Sequence, residues 1–589
     1  MLKRLLPYLL LFILATIPRF FSLNVIPTSL SHDEVDLIIQ AHSVRLTGTD
    51  LSGSWNPWSL LPNDAVMAEL APVINLPALS ILPNTLFAAH ATTALLGSLY
   101  PLLIVILLIS WGMSHRVAWL TGFLLALSPW HILFSRTTLE QPTSLFFYTL
   151  SWIFLSKIFS TKNNLKMLLL STFSFITFYS LGFYTYHGFK FVLPIMTAFL
   201  ALYSSIRSSL KYKLPLLVLA GLTISGLYLR IYINSSSYSS RQSEIIFMDQ
   251  ARFAKAVDND RRTSLLPDRL NQLFSNKPIE MLKLATEKYL STISPEQLFM
   301  KGEKNGVFST GRTGYLYLFL LPFVLIGIAS MLMSGKRSEL IALVLLFISP
   351  LATVIHQNDS FAFRSAIFIV LLTMVAAIGI EAINTRYPKL RLSLVAVALT
   401  VISFVNFSFV YLGYYPVESA RAYFFTNRLL ASYLSHSEGQ RILVIDPQPR
   451  YIMSYLALTN RDVTDKVLSP LIGNYSPSEE KNTYLTNGIT IRRDCPKELG
   501  QFDTIIVDSS LREGLLGICP TLDNMLLENN PEISKISDPL DGGDKKIIYN
   551  DLICQGVDLP RYVNLSGLSG FALDEMSRVQ FCSNWIIQN

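Results

Sequence analysis

Three carboxylates stand close together in SHDEVD, residues 31–36, directly after an apolar N-terminal run. Two chemistries compete for them. Ser31 and Glu34 have the spacing of a capping box, with Asp33 in the first turn, where negative charge meets the positive end of the helix. Gly48 would then close that helix. Alternatively, Asp33 with Glu34 beside it is a general base at the mouth of a membrane span, where ionisable side chains are functional candidates by default. Neither account gives Asp36 a role. Other short polar stretches offer partners. SRTTLEQPT carries Arg136 and Glu140, one above the other if helical; GFYTYHGFK carries Tyr184, Tyr186, His187 and Lys190; HQNDSFAFR carries His356, Asp359 and Arg364. The glycine-rich stretch 289–314 adds Lys301, Lys304 and Arg312 and reads as a flexible basic loop. A lone charge at a span end snorkels to the headgroups. Several cations, each beside an acid, His or Tyr, suit different chemistry. They could hold a phosphate or pyrophosphate leaving group while a carboxylate activates an acceptor hydroxyl or amine.

The elements that would position these groups are mostly membrane spans. Only 15% of the 589 residues are charged and 51% are hydrophobic, with a mean hydropathy of +0.40; soluble domains carry roughly 25% charged residues. Apolar runs near 5–25, 86–111, 117–135, 144–160, 165–182, 189–206, 214–233, 315–333, 339–355, 365–383 and 392–411 give about eleven transmembrane helices. MLKRLLPYLLLFILATIPRF lacks a small-x-small cleavage site, so it is expected to be a retained first span. If the spans alternate, Lys3/Arg4, His115/Arg116, Lys162/Lys166, Arg207/Lys211/Lys213, Lys336/Arg337 and Arg386/Lys389/Arg391 all fall on one side, which the positive-inside rule makes the cytoplasm. The net charge of +7 is thereby absorbed as topology determinants, and nucleic-acid binding is excluded.

With the N-terminus inside, loops 26–85 and 234–314, the polar turns and residues 412–589 lie outside. The protein is therefore expected in the cytoplasmic (inner) membrane as a multi-pass chain, with its site and C-terminal part extracytoplasmic. Residues 1–411 form the membrane domain. Residues 412–589 contain RILVID and FDTIIVDSS, short β-branched runs that read as buried strands, and TNRLLASYLSH, which reads as a helix. That pattern is a C-terminal α/β or α+β domain. All four cysteines (Cys495, Cys519, Cys554, Cys582) fall there, without zinc spacing, and two disulfides are expected, with three connectivities open.

HDEVDLIIQAHSVRLTGTDLSG, LSPWHILFSRTTLEQPTSLFF, YTYHGFKFVLP and YLSTISPEQLFMKGEKNGVFSTGRTGYLYLFLLPFVLIGI together resemble the GT-C superfamily of integral membrane glycosyltransferases. The likeness is to the branch of protein O-mannosyltransferases and bacterial lipid A aminoarabinose transferases, and covers residues 1 to about 385. The resemblance implies inverting transfer from a polyprenyl-phosphate-linked sugar to a protein, glycan or lipid acceptor on the outer face, with membrane lipids around it. It implies Asp33 as base with Glu34 beside it as the catalytic pair. Arg136, Glu140, Tyr186, His187, Lys190, Arg312, His356 and Arg364 would serve donor phosphate or acceptor. Many relatives carry Arg at the position of Lys190, and Lys binds phosphate as a point charge only. Some relatives use a divalent metal; His32, Asp33 and Glu34 could supply ligands, but their spacing is no metal signature, so a divalent metal stays open and no metal site is assigned. A transporter or flippase of lipid-linked glycans, and an inactive scaffold, are the rival classes. The large outer domain and the lack of broken helices in paired halves count against the first, and the intact Asp-Glu pair against the second.

Overall fold

A computed structural model describes residues 2–53, 68–161, 164–206, 214–233, 245–356, 361–437, 439–472, 483–514, 532–565 and 568–588. Lys162, Arg207, Lys211, Lys213, Asp359 and Cys519 lie outside them.

The expected apolar runs are largely helical. The helices are α1 (Leu2–Phe20), α2 (His32–Thr47) in the first outer loop, α3 (Leu86–Ser110), α4 (His115–Ala126), α5 (Pro129–Ser135), α6 (Glu140–Ser160), α7 (Leu165–Thr185), α8 (Val192–Ile206), α9 (Leu214–Ile233), α10 (Gln250–Thr263) and α11 (Lys277–Thr292). After them come α12 (Leu321–Ser334), α13 (Arg337–Ile348), α14 (Ala366–Arg386) and α15 (Leu392–Gly413). Among the described residues, five helical segments are long and apolar enough to cross a membrane, or six if α4 and α5, bent by 57°, form one span; four more apolar helices there are shorter. Small residues let backbones approach within the bundle. A Cβ on Gly327 of α12 would collide with the Val375 carbonyl of α14, and one on Gly379 with the Phe323 carbonyl.

Beyond α15 lie α16 (Phe425–Ser435), β1 (Ile442–Ile445), α17 (Pro449–Leu458), β2 (Thr483–Thr486), β3 (Ile489–Arg492), β4 (Thr504–Asp508), β5 (Ile533–Ser537), β6 (Asp544–Tyr549) and β7 (Ile586–Gln588). The strands form one mixed sheet in the order β2-β3-β1-β4-β6-β5-β7. β1 is parallel to β3 and β4, and its ILVI is buried throughout, as expected of a strand covered on both faces. Asn487-Gly488 joins β2 to β3 with φ of 42° and 85°, the positive pair that a tight hairpin demands. Cys554 and Cys582 form a disulfide, Cys495 is also disulfide-bonded, and no described cysteine is free.

A single apolar cluster runs from Leu11 of α1 through the bundle to Trp585 and Ile586 beside the sheet. The sheet region is therefore packed against the segments on either side of α2. Tyr455 Oη donates to the Leu30 carbonyl, Arg45 to the Val463 carbonyl at 2.9 Å, and Asn84 Nδ2 to the carbonyls of Leu458 and Asn460 at 2.9 and 3.0 Å.

Candidate functional site

The capping box forms. Glu34 is fully buried, and its Oε2 accepts from the Ser31 N–H and hydroxyl, both at 2.9 Å. Its Oε1 accepts from the Thr138 N–H at 2.7 Å and lies 3.2 Å from His90 Nε2. Glu34 thus starts α2 and also pins the 136–139 turn to it. Asp33, one residue earlier, is exposed on the same first turn. Gly48 closes α2 in the left-handed conformation, φ 77°, as its lack of a side chain permits.

Asp36 finds partners over 400 residues away. It is buried, and its Oδ2 accepts from Arg450 at 3.2 Å and from Tyr451 Oη at 3.3 Å, both on α17. Burial, against the pull of Arg450, raises its pKa to about 6. The His32 ring lies flat between Phe424 and Tyr451, at centroid distances of 3.3 and 3.6 Å. Burial, with Arg450 adding, lowers His32 to about 3, so it is neutral at physiological pH. The first turn of α2 is therefore gripped from the C-terminal side.

Arg136 and Glu140 do not stack on one helix face. Arg136 caps α5, Glu140 begins α6, and the non-helical turn between them breaks the spacing. Arg136 is 1% exposed. It donates to the carbonyls of Pro18, Arg19, Phe21, Ser22 and Ile26 and to Tyr411 Oη, at 2.7–3.3 Å. It closes the end of α1, where the helix leaves carbonyls unpaired. Arg19 does the same for α4, donating to the carbonyls of Leu125 and Ala126 and to His131 Nδ1. Gly97 makes room here, since a Cβ would strike the Ser135 hydroxyl.

Lys190 is bound to both oxygens of Glu69 at 3.0 Å and stands over the rings of Phe183 and Tyr184. Glu140 Oε1 accepts from the Ala68 N–H at 3.3 Å, and the Leu70 N–H donates to the Tyr184 carbonyl at 2.8 Å. Residues 68–70 thus join Glu140 to the 184–190 turn. Below that turn, a groove runs between α7 and α9, walled by Ile176, Leu181 and Leu227 and by Thr177, Ser180 and Thr223, with Tyr184 and Arg230 near the helix ends. Arg230 and Glu69 both act electrostatically on Tyr184.

An aromatic cluster gathers the outward turns. Phe363 lies 4.9 Å from Tyr186, 5.3 Å from Phe308 and 6.2 Å from Phe134, between ring centroids. The Ala362 N–H donates to Glu303 Oε1 at 2.7 Å, so the 302–313 stretch is bound to its neighbours rather than a loose loop. Arg364 and His187 are half-buried at the edges of this cluster. Arg312 and His356 are held elsewhere. Arg312 forms a two-pronged pair with Glu418 at 2.5–3.0 Å and stacks on Tyr414; the His356 carbonyl accepts from Lys288 and its backbone pairs with Ile245.

Glu69, His90, Arg230, Arg450 and Tyr451 were not singled out from sequence. Glu69 had a signal: it is the one acid in the apolar run VMAELAPVINLPALSIL. Among the described residues no group of three His, Cys, Asp or Glu side chains could hold a metal ion. With both Glu34 oxygens engaged, the His32-Asp33-Glu34 set does not fit a metal, and no step is routed through one.

No family model and no curated protein matches the sequence. Solved structures do match by fold. The chain is similar to ArnT from Cupriavidus metallidurans bound to undecaprenyl phosphate, with 10% identity over 92% of this chain and 97% of that one, at a TM-score of 0.50. The apo state of that protein matches over the same shares, with 10% identity, at 0.48. An oligosaccharyltransferase from Archaeoglobus fulgidus in the apo form matches with 11% identity over 77% of this chain at 0.41. The chain spans 64% of that protein's length. The chain shares with that ArnT structure the fold of a helical membrane protein, and the expected helical bundle with a C-terminal sheet domain is present.

Proposed function

We propose that this protein is a membrane glycosyltransferase that moves a sugar from a polyprenyl-phosphate donor to an acceptor on the extracytoplasmic face. The observation that carries this is the groove between α7 and α9, where Ile176, Leu181 and Leu227 alternate with the small hydroxyls of Thr177, Ser180 and Thr223, with Arg230 near its end and the Lys190–Glu69 pair beside it. A long hydrocarbon tail bearing one phosphate has that distribution of chemistry. The likeness to a structure that holds undecaprenyl phosphate supports it at the level of fold.

In this account Asp33 is the general base. It takes the proton from the acceptor hydroxyl or amine; the acceptor attacks the anomeric carbon from the face opposite the phosphate; the bond from that carbon to phosphate oxygen breaks, and the configuration inverts. The electron pair leaves on the lipid phosphate, where Lys190 and Arg230 stabilise it. Glu34 and Arg136 act as positioning residues: one fixes the turn that carries Asp33, the other the end of α1. Glu140 holds residues 68–70 against the phosphate side. Tyr186, His187 and Arg364 fall to the acceptor side, while Arg312, paired with Glu418, and His356, beside Ile245, stand apart from it. The account takes eleven spans with the N-terminus in the cytoplasm, residues 1–411 as the catalytic membrane domain and 412–589 as an extracytoplasmic domain.

The test is to incubate the purified protein with a panel of polyprenyl-phosphate sugars and follow sugar release or transfer. Turnover of at least one donor is expected, and Lys190→Ala or Arg230→Ala should raise the donor KM. Movement of intact donors across the bilayer without cleavage would favour the flippase class instead.

A further inference from the structure

A second groove lies at the opposite end of the bundle, where α1, α4 and α15 begin and α14 ends. Its floor is Leu10, Leu11 and Leu14 of α1, Leu120 and Phe123 of α4, and Val397 of α15. Its rim is polar, with Arg116, Asn384 and Ser393. Beside it Trp119 meets Tyr8 edge to face at 4.8 Å, an amphipathic aromatic pair of the sort that sits at headgroup level.

The charge around this mouth is one-sided. The segments 110–123 and 381–397 that frame it contain Arg116, Arg386, Lys389 and Arg391 against a single carboxylate, Glu381. Glu381 meets Arg116 at 3.2 Å, with the Arg116 side chain 75% exposed. The contact is a single bond from a mostly exposed guanidinium, and a phosphate could accept from the remaining donors of Arg116 in a forked contact. The positive-inside bias accounts for cations at this end. It does not account for an apolar groove running from the bilayer to them.

We propose that this groove holds one anionic glycerophospholipid, its acyl chain along α1 and α4 and its phosphate at Arg116. The chemistry matches in order: hydrocarbon against Leu and Phe, ester region at Asn384, Ser393 and the Trp119–Tyr8 pair, phosphate at Arg116 inside a cationic rim. The site is at the other end of the bundle from Asp33 and does not depend on the transferase reading.

The probe is the full-length protein incubated with equimolar phosphatidylglycerol and phosphatidylethanolamine in mild detergent, with retained lipid counted by native mass spectrometry. One phosphatidylglycerol per protein should be retained, with roughly fivefold preference, the worth of about one basic contact to an anionic lipid. Arg116→Ala should remove the preference, and Leu14→Trp, which fills the groove, should remove the bound lipid of either class. Lys336→Ala, in another basic cluster at the same end, should leave both unchanged. Equal retention of the two lipids by the unaltered protein overturns the proposal, and that measurement stands if a variant fails to fold. Retention that survives Leu14→Trp in a variant that melts like the parent also overturns it, because the lipid would then be merely annular.

Discussion

Asp33, Glu34 and Asp36 share one helical turn and have three fates: exposed, locked into a cap, and clamped to a distant helix. The roles separate by experiment. Asp33→Asn should abolish transfer while leaving expression and melting temperature intact. Glu34→Ala should instead cost roughly 3 kcal/mol in stability, because buried N–H groups of Ser31 and Thr138 lose their acceptor; chemical or thermal unfolding reads it. The pH dependence of stability has two opposing parts. Asp36, its pKa raised to about 6, contributes stability that is lost as pH rises toward 6. His32, lowered to about 3, contributes stability present above its ordinary value near 6.5 and lost as pH falls through its folded value. Asp36→Asn removes the first part alone, so that variant should lose stability on acidification below about pH 6 more steeply than the parent in a melting series. The capping box was legible because it is local, written in Ser31 and Glu34 three positions apart. The partner of Asp36 was not, because nothing in the spacing of residues 36 and 450 foretells their contact.

Elements set where the charges end up. Arg136 was expected to hold phosphate, on a face shared with Glu140; the chain breaks between α5 and α6, and the guanidinium turns to the open end of α1. An unpaired helix end inside an apolar bundle is as strong an attractor for a cation as a ligand is, and residue type cannot tell them apart. Arg136→Lys should therefore lower stability, since one ammonium cannot replace five backbone contacts, and should leave the donor KM of the surviving folded protein near that of the parent. Lys190→Ala should do the reverse, raising donor KM more than it lowers melting temperature. The apolar runs are largely helical, because long hydrophobicity is a strong local signal, but the run 117–135 breaks into α4 and α5. The aromatic cluster of Phe134, Tyr186, Phe308 and Phe363 was hidden, since it forms only once α5 and three distant segments meet. Phe363→Ala should loosen these segments together, at a cost of about 2–3 kcal/mol for a half-buried ring.

At the scale of the whole molecule, the sheet region packs against the stretch that carries Asp33. Arg428 donates to the Thr28 carbonyl at 2.5 Å, and α17 supplies Arg450, Tyr451 and Tyr455 to the stretch around Asp33. The strands at RILVID and FDTIIVDSS were readable from β-branched runs; their docking onto the first outer loop was not, because it rests on single polar contacts between distant segments. Arg450→Ala with Tyr451→Ala should lower transfer and make the loop that carries Asp33 more open to proteolysis, even though neither residue touches substrate in this account. The central claim is that Asp33 is the base in glycosyl transfer from a lipid phosphate. It is tested most directly by measuring turnover of a polyprenyl-phosphate sugar by the parent and by Asp33→Asn at equal amounts of folded protein in the same lipid. The account predicts turnover in the parent and essentially none in the variant, with equal melting temperatures. Undiminished turnover per molecule in Asp33→Asn would contradict it.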